Sequence, residues 1–350
     1  MLRSPPLSTA SSDALPAPRS AARPSQRSDW VDAAKGLGIV LVVAGHALIG
    51  MIDAGLLRAD GAGGDAHYLI YSFHMPLFFA LAGLFVQPRC ARDAGGFVRA
   101  AFTRVAWPYL LWCSLQSLLI ASLPGLVNRS DTFDLNRFVA LLWEPAAQFW
   151  FLQSLFGLQL LAWALLPRIG ALGLLLLCIA LRVLPEAMTL PVALVQLLRF
   201  APFFALGVWL GPWLLERAQH VPPKTVLAIG AAAATAWLVA ASLARASAVG
   251  YWSVAALPAA IAGSIALLAL AVALRGQFAR AAAALGRASM AIYVLHVLFV
   301  AGARIVLHKL VGIGEAALIF PLALIAGVAG PLAVRALAQR AGIARVAGLQ

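Results

Sequence analysis

About ten apolar segments, most near the roughly 20 residues a helix needs to cross a bilayer, divide this 350-residue chain and leave little else to fold. They begin near Ala33, His67, Val105, Ala147, Gly170, Ala193, Val226, Trp252, Gly286 and Gly312, and the fifth, reaching about Pro185, is short by that criterion. With 63% hydrophobic and 11% charged residues, the chain cannot supply the polar surface of a soluble domain of this length. Lipid is a solvent in which Leu, Ala and Val can face outward. The expected fold class is therefore all-α, a polytopic integral membrane protein with about ten transmembrane helices.

The formal net charge is +13, yet the basic residues do not gather in one stripe with interleaved aromatics, so no nucleic-acid partner is expected. They sit between apolar segments, where Lys and Arg set orientation. Arg3, Arg19, Arg23 and Arg27, then Arg89, Arg92, Arg99 and Arg104, then Arg275, Arg280 and Arg287, then Arg335, Arg340 and Arg345 all fall on one side if the spans number ten. Asp53, Asp60, Asp65, Asp131, Asp134 and Glu144 fall on the other. Both termini are thus expected in the cytoplasm of a bacterial cell, with the protein multi-pass in the inner membrane.

Residues 1–28, rich in Pro, Ser, Ala and Arg without an apolar centre, read as a disordered cytoplasmic tail rather than a cleaved signal. Residues 29–340 form the membrane domain and 341–350 a short cytoplasmic tail. Cys90, Cys113 and Cys178 show no metal-ligand spacing and read as apolar fillers. No phosphate-binding loop, dinucleotide fingerprint or nucleophile elbow appears, and Asn128-Arg129-Ser130 matches a short sequon that also occurs by chance.

Ionisable groups inside spans cost free energy, so each is a candidate functional residue. In the first span His46 follows Lys35 by eleven residues, which at 100° per residue returns it to within about 20° of the same face, about 16 Å deeper. Asp32 lies within about 40° of His46. A cation at the rim and an imidazole deep on one face suggest a route for an anionic donor. Alternatively, Lys35 snorkels to headgroups and His46 bonds a neighbouring helix. In the second segment His74 sits at a similar depth, seven residues after His67 and two before Pro76, which is expected to bend the helix and free carbonyls for His74 or a substrate. No carboxylate or cysteine accompanies the histidines at ligand spacing, so no metal is expected. The Arg89 to Arg104 cluster serves topology and could also engage phosphates. Arg182 and Arg199, near or within spans, call for an anionic neighbour such as a headgroup or substrate. Ser289, Tyr293 and His296 share one face of the ninth span; Ser289 is expected to pack helices, and the other two fit packing or a cavity equally.

Six separated blocks, WVDAAKGLGIVLVVAGH, YSFHMPLFFALAG, TRVAWPYLLW, FWFLQSLFGLQ, RFAPFFALGVWLG and GRASMAIYVLH, together resemble acyltransferase family 3, the membrane O-acyltransferases, and especially its fucose 4-O-acetylase-like branch acting on bacterial polysaccharides. The resemblance runs in order from Trp30 to His296. It implies acetyl-CoA as donor and a sugar hydroxyl as acceptor, with His46 catalytic and Lys35 the basic residue eleven positions before it. Many members carry arginine at that place, and lysine keeps the charge while giving up bidentate phosphate contact. Arg104 matches the family's arginine ahead of its proline-tyrosine pair; the second basic residue expected three positions earlier is Ala101 here, and Arg99 is the nearest substitute. His74, Pro76, Gly83, Trp150, Arg199, Gly207, Tyr293 and His296 occupy matching positions.

On that basis Lys35, Arg99 and Arg104 are expected to bind the donor, and Asp32, His74, Trp150, Arg199, Tyr293 and His296 to bind substrate or support the site. His46 either removes the acceptor proton or is itself acetylated. Expected partners are membrane lipid, a carbohydrate acceptor and a polysaccharide-synthesis complex. The rival functions are a carrier or flippase for a lipid-linked sugar, in which the histidines relay protons, and a non-catalytic scaffold.

Overall fold

A computed structural model describes residues 29–90, 93–123 and 134–349, the side chains of 88 and 89 apart. The proposed N-terminal tail, Arg92, Asp131 and the Asn128 sequon lie outside the described residues. Twelve helices carry the argument: α1 (Asp29–Asp53), α2 (Ala62–Tyr71), α3 (His74–Gly83), α4 (Ala94–Ala101), α5 (Trp107–Ala121), α6 (Trp150–Leu181), α7 (Val192–Arg217), α8 (Pro223–Ala246), α9 (Leu257–Ala273), α10 (Gly276–Arg287), α11 (Ser289–Arg304) and α12 (Ala316–Arg340). There is no strand among the described residues, and exposed Leu, Ile, Val and Trp side chains cover much of the outside, as lipid contact requires. The chain is an all-α membrane protein.

Seven helical stretches among the described residues are long and apolar enough to cross a membrane: Asp29–Asp53, Ala147–Ala187, Val192–His220, Pro223–Ala246, Val254–Ala273, Ser289–Leu310 and Ala316–Arg340. The sequence-based number of about ten exceeds this for identifiable reasons. Segments four and five are continuous over Ala147–Ala187, 41 residues. That length, roughly 60 Å of straight helix, is about twice the hydrocarbon thickness. The stretch is jointed at Gly170, whose φ of 69° suits a residue without Cβ, three residues after Pro167. The second segment is interrupted at Ser72 and Phe73, between α2 and α3. Pro76 then occupies the first turn of α3, where its missing N–H costs no helical bond. The third opens with a π-helical turn, Phe102–Ala106, which leaves α5 only 15 residues long.

Two close helix approaches fix the frame. A Cβ on Gly36 would stand 1.9 Å from the Ala282 carbonyl oxygen, and one on Gly286 would stand 1.7 Å from that of Asp32, so α1 and α10 touch backbone to backbone. Across α3 and α7, a Cβ on Gly83 would meet the Phe204 oxygen at 2.2 Å and one on Gly207 the Ala80 oxygen at 2.0 Å. Small residues permit such contacts between helices in lipid. The chain turns at Ala288 and α11 packs along α1, with α12 against α11. The last described residues fold back onto α5: the Trp107 indole donates to the Val346 carbonyl at 2.6 Å and the Trp112 indole to that of Ala347 at 2.8 Å.

Candidate active site

On α1, Lys35, Ile39 and Val42 line a cavity of about 240 Å³, and the next residue on that face is His46. The opposite walls come from α3, α6 and α11, with Met75, Phe78, Phe151, Ser289 and Tyr293 among them, and Arg104 reaches in from the π-helical turn. The cavity is mostly apolar and its cations are Lys35 and Arg104. Lys35 stands 3.6 Å from Asp32 and 5.5 Å from the centre of the Phe85 ring. Asp32 is buried, its Oδ2 has no hydrogen-bond partner among the described residues, and its Oδ1 holds the lysine beside the cavity. Arg99 is exposed on α4 and does not line this space, so of the arginines expected at the donor only Arg104 is placed there. Ser289, expected to pack helices, lines the cavity.

The histidines gather beyond Val42. Nδ1 of His46 is 2.9 Å from the Val42 carbonyl, Nδ1 of His74 is 2.8 Å from that of Ile70, and Nδ1 of His296 is 2.8 Å from that of Tyr293. A carbonyl oxygen only accepts, so in each neutral ring Nδ1 carries the proton and Nε2 keeps the lone pair. The His46 and His296 rings stand edge to face, 4.7 Å apart. His46 is half-buried, and Nε2 makes no hydrogen bond among the described residues. His74 uses the Ile70 carbonyl at the break between α2 and α3; that break lies at Ser72 and Phe73, and Pro76, expected to bend the helix, instead sits in the first turn of α3.

Tyr71 joins these groups. Its ring lies 4.0 Å from His67, 4.7 Å from His74 and 6.1 Å from His46. Tyr293 is buried, and its hydroxyl donates to the Gln148 carbonyl. Gln148 is in turn paired with Gln116, the two amides exchanging hydrogen bonds of 3.0 and 3.3 Å. Tyr71, Gln148 and Gln116 are additions that sequence reasoning missed. Tyr71 opens the second matched block, three residues before His74, and Gln148 lies two residues before Trp150; for Gln116 there was no local signal.

Trp150 and Arg199 lie elsewhere. Trp150 stacks with Phe200 at 5.1 Å and meets Trp252 at 5.2 Å. Arg199 shares a narrow cleft with Pro76, Arg182, Tyr251 and Trp252. Arg182 donates to Glu186 at 3.3 Å and to the Trp252 carbonyl at 2.5 Å, which clamps two connections together. Trp252 also reaches Tyr71, its indole donating to the Tyr71 carbonyl at 3.2 Å. Among the described residues no three His, Cys, Asp or Glu side chains gather as metal ligands.

An all-helical membrane protein with buried histidines beyond a cavity flanked by cations is the class that fold and site define. The chain belongs to acyltransferase family 3: the acyltransferase domain family matches residues 28–336, nearly everything described above. Among curated relatives it resembles the nodulation protein NolL of Sinorhizobium fredii, 30% identical over 204 residues, 56% of this chain and 52% of that protein. It also resembles the NolL of Mesorhizobium japonicum, 31% identical over 141 residues, 36% of this chain and 32% of that one. The chain therefore spans about half, or less, of the length of the curated relatives it matches. No solved structure matches it significantly.

Proposed function

We propose that this chain is an O-acetyltransferase of the bacterial inner membrane, with both termini cytoplasmic, that carries acetyl from cytoplasmic acetyl-CoA to a sugar hydroxyl of a surface polysaccharide or its lipid-linked precursor. The observation that carries this reading is the α1 face of Lys35, Ile39 and Val42, which lines one cavity with Arg104 and whose next residue, one turn on, is His46. Phosphates are recognised by such cations, and the apolar walls between suit a pantetheine arm.

In the proposed reaction Nε2 of His46 takes the proton of the acceptor hydroxyl as its oxygen attacks the thioester carbonyl. The C–O ester bond forms, the C–S bond breaks, and the proton passes from His46 to the departing CoA thiolate. The Val42 carbonyl fixes the ring so that Nε2 is the basic nitrogen. Tyr293, anchored on Gln148, walls the space in which the carbonyl would sit. His74 and Tyr71 hold the cluster's shape, and Asp32 positions Lys35. Trp252 links Arg199 and Trp150 to Tyr71, which suits them to supporting the acceptor side.

The test is titration of the purified protein in detergent with acetyl-CoA, beside the Lys35→Ala and Arg104→Ala variants. Saturable binding by the wild type that weakens about tenfold in each variant supports the reading. Absence of binding in the wild type would move the assignment to the carrier.

A further inference from the structure

Arg304, at the end of α11, is only 3% exposed, and its Nε and Nη1 are buried without a hydrogen-bond partner among the described residues. Asp53, whose charge acts on it, is exposed. Unpaired guanidinium donors in an apolar layer are costly, and they persist where a ligand completes them. A snorkelling arginine would keep its tip outside, and a purely structural one would have its nitrogens on carbonyls or carboxylates.

Its direction is informative. Side chains lean toward the N-terminus of their helix, so Arg304, about 12 Å beyond His296 along α11, reaches back toward the histidines. Its Nε lies 3.9 Å from the place a Cβ would take on Gly50. Gly50 is one turn beyond His46 on α1, and both are half-buried, so this part of α1 is not wholly closed over. His296 contributes a second unmet group: its Nδ1 is occupied by the Ile292 and Tyr293 carbonyls, and its buried Nε2 has no partner among the described residues. On Arg304, whose Nε lies beside Gly50 one turn beyond His46, there are thus two donors without an acceptor among the described residues and, on His296, an acceptor without a donor. A hydroxyl supplies both, accepting at its oxygen and donating its proton; an acyl chain or a thioester does not.

We infer that Arg304 is the acceptor-binding residue of this site. Its guanidinium donates to an oxygen of the carbohydrate whose reacting hydroxyl lies against Nε2 of His46, and Nε2 of His296 accepts from a neighbouring hydroxyl. The assignment rests on the acyl-transfer reading above, and it gives the acceptor a chemical class, a sugar with adjacent free hydroxyls.

Two readouts on the full chain test it: the thermal midpoint of the substrate-free protein, and transfer of labelled acetyl from acetyl-CoA to a panel of methyl hexosides and methyl 6-deoxyhexosides. Removing an unsatisfied buried charge should raise the midpoint of Arg304→Met above wild type. The same variant should lose transfer by about 10- to 100-fold, the usual cost of a lost hydrogen bond to a charged group, with acetyl-CoA binding unchanged within about twofold. Arg304→Lys should recover part of the transfer, because it keeps a charged donor. A midpoint that falls in Arg304→Met, failure of that variant to fold, or transfer at the wild-type rate would each overturn the inference. Wild-type binding of acetyl-CoA with transfer to no glycoside in the panel would overturn the acceptor class. Wild type that does not bind acetyl-CoA would defeat the acyl-transfer reading itself, and the midpoint would still decide whether Arg304 is structural.

Discussion

The two ends of the α1 face are built differently. At the Lys35 end, long cationic side chains are partly or fully exposed, and an ion pair and a ring hold the lysine from one side. At the His46 end, three histidine rings are fixed by backbone carbonyls and packed around one another and Tyr71. Recognition of a soluble polyanion tolerates mobile charges, because Coulomb attraction acts over several ångströms. Proton transfer needs a base held to within a fraction of an ångström, and a buried ring on a helix provides that. The difference teaches that substitutions at the first end should act on donor affinity and those at the second on turnover.

The largest expected effect is at the rigid end. His46→Ala should lower the rate of transfer by about 10²- to 10⁴-fold, the usual contribution of a general base, with donor affinity within about twofold of wild type. Equilibrium binding beside single-turnover kinetics separates the two. Gly36→Ala should blur the contrast, because a methyl group 1.9 Å from the Ala282 oxygen must push α1 away from α10 and displace Lys35 and His46 together. Overpacking of that kind costs about 1–3 kcal/mol, seen as a lower unfolding midpoint with affinity and turnover falling in parallel. Arg104→Ala should sharpen the contrast by raising KM for acetyl-CoA about tenfold while kcat changes little. The smallest effect belongs to Arg99→Ala, at an exposed position outside the cavity, where steady-state kinetics should stay within about twofold of wild type. A large KM effect there would show that the donor site extends over α4.

Much of the rigid end was legible because helical periodicity fixes azimuth and depth along one helix. From Lys35 the cavity follows the predicted α1 face through Ile39 to Val42, one turn short of His46, and the Tyr293 and His296 rings stand 6.2 Å apart. Periodicity does not say which helices meet. Gln116 and Gln148 enter the site only through contacts between distant segments, Tyr71 also meets His46 on another helix, and Arg304 was hidden because an arginine near a span end normally reads as an anchor. Arg99 lies outside the cavity for the converse reason, because its charge was matched and its azimuth was not. Five residues before Arg104 is about 140° round a regular helix, and the π-helical turn Phe102–Ala106 begins between the two. The break at Ser72 and Phe73 escaped the count of spans because a hydropathy window averages over so short an interruption, whereas the joint at Gly170 falls where the sequence divides the fourth segment from the fifth.

The most direct test of the central claim, that His46 is the base of an acyl transfer from acetyl-CoA, is single-turnover consumption of radiolabelled acetyl-CoA by purified wild type and by His46→Ala at matched folding and donor occupancy. The account predicts that wild type discharges the donor and that the variant binds it without discharging it. Equal rates in the two proteins would remove His46 from the chemistry and contradict the account.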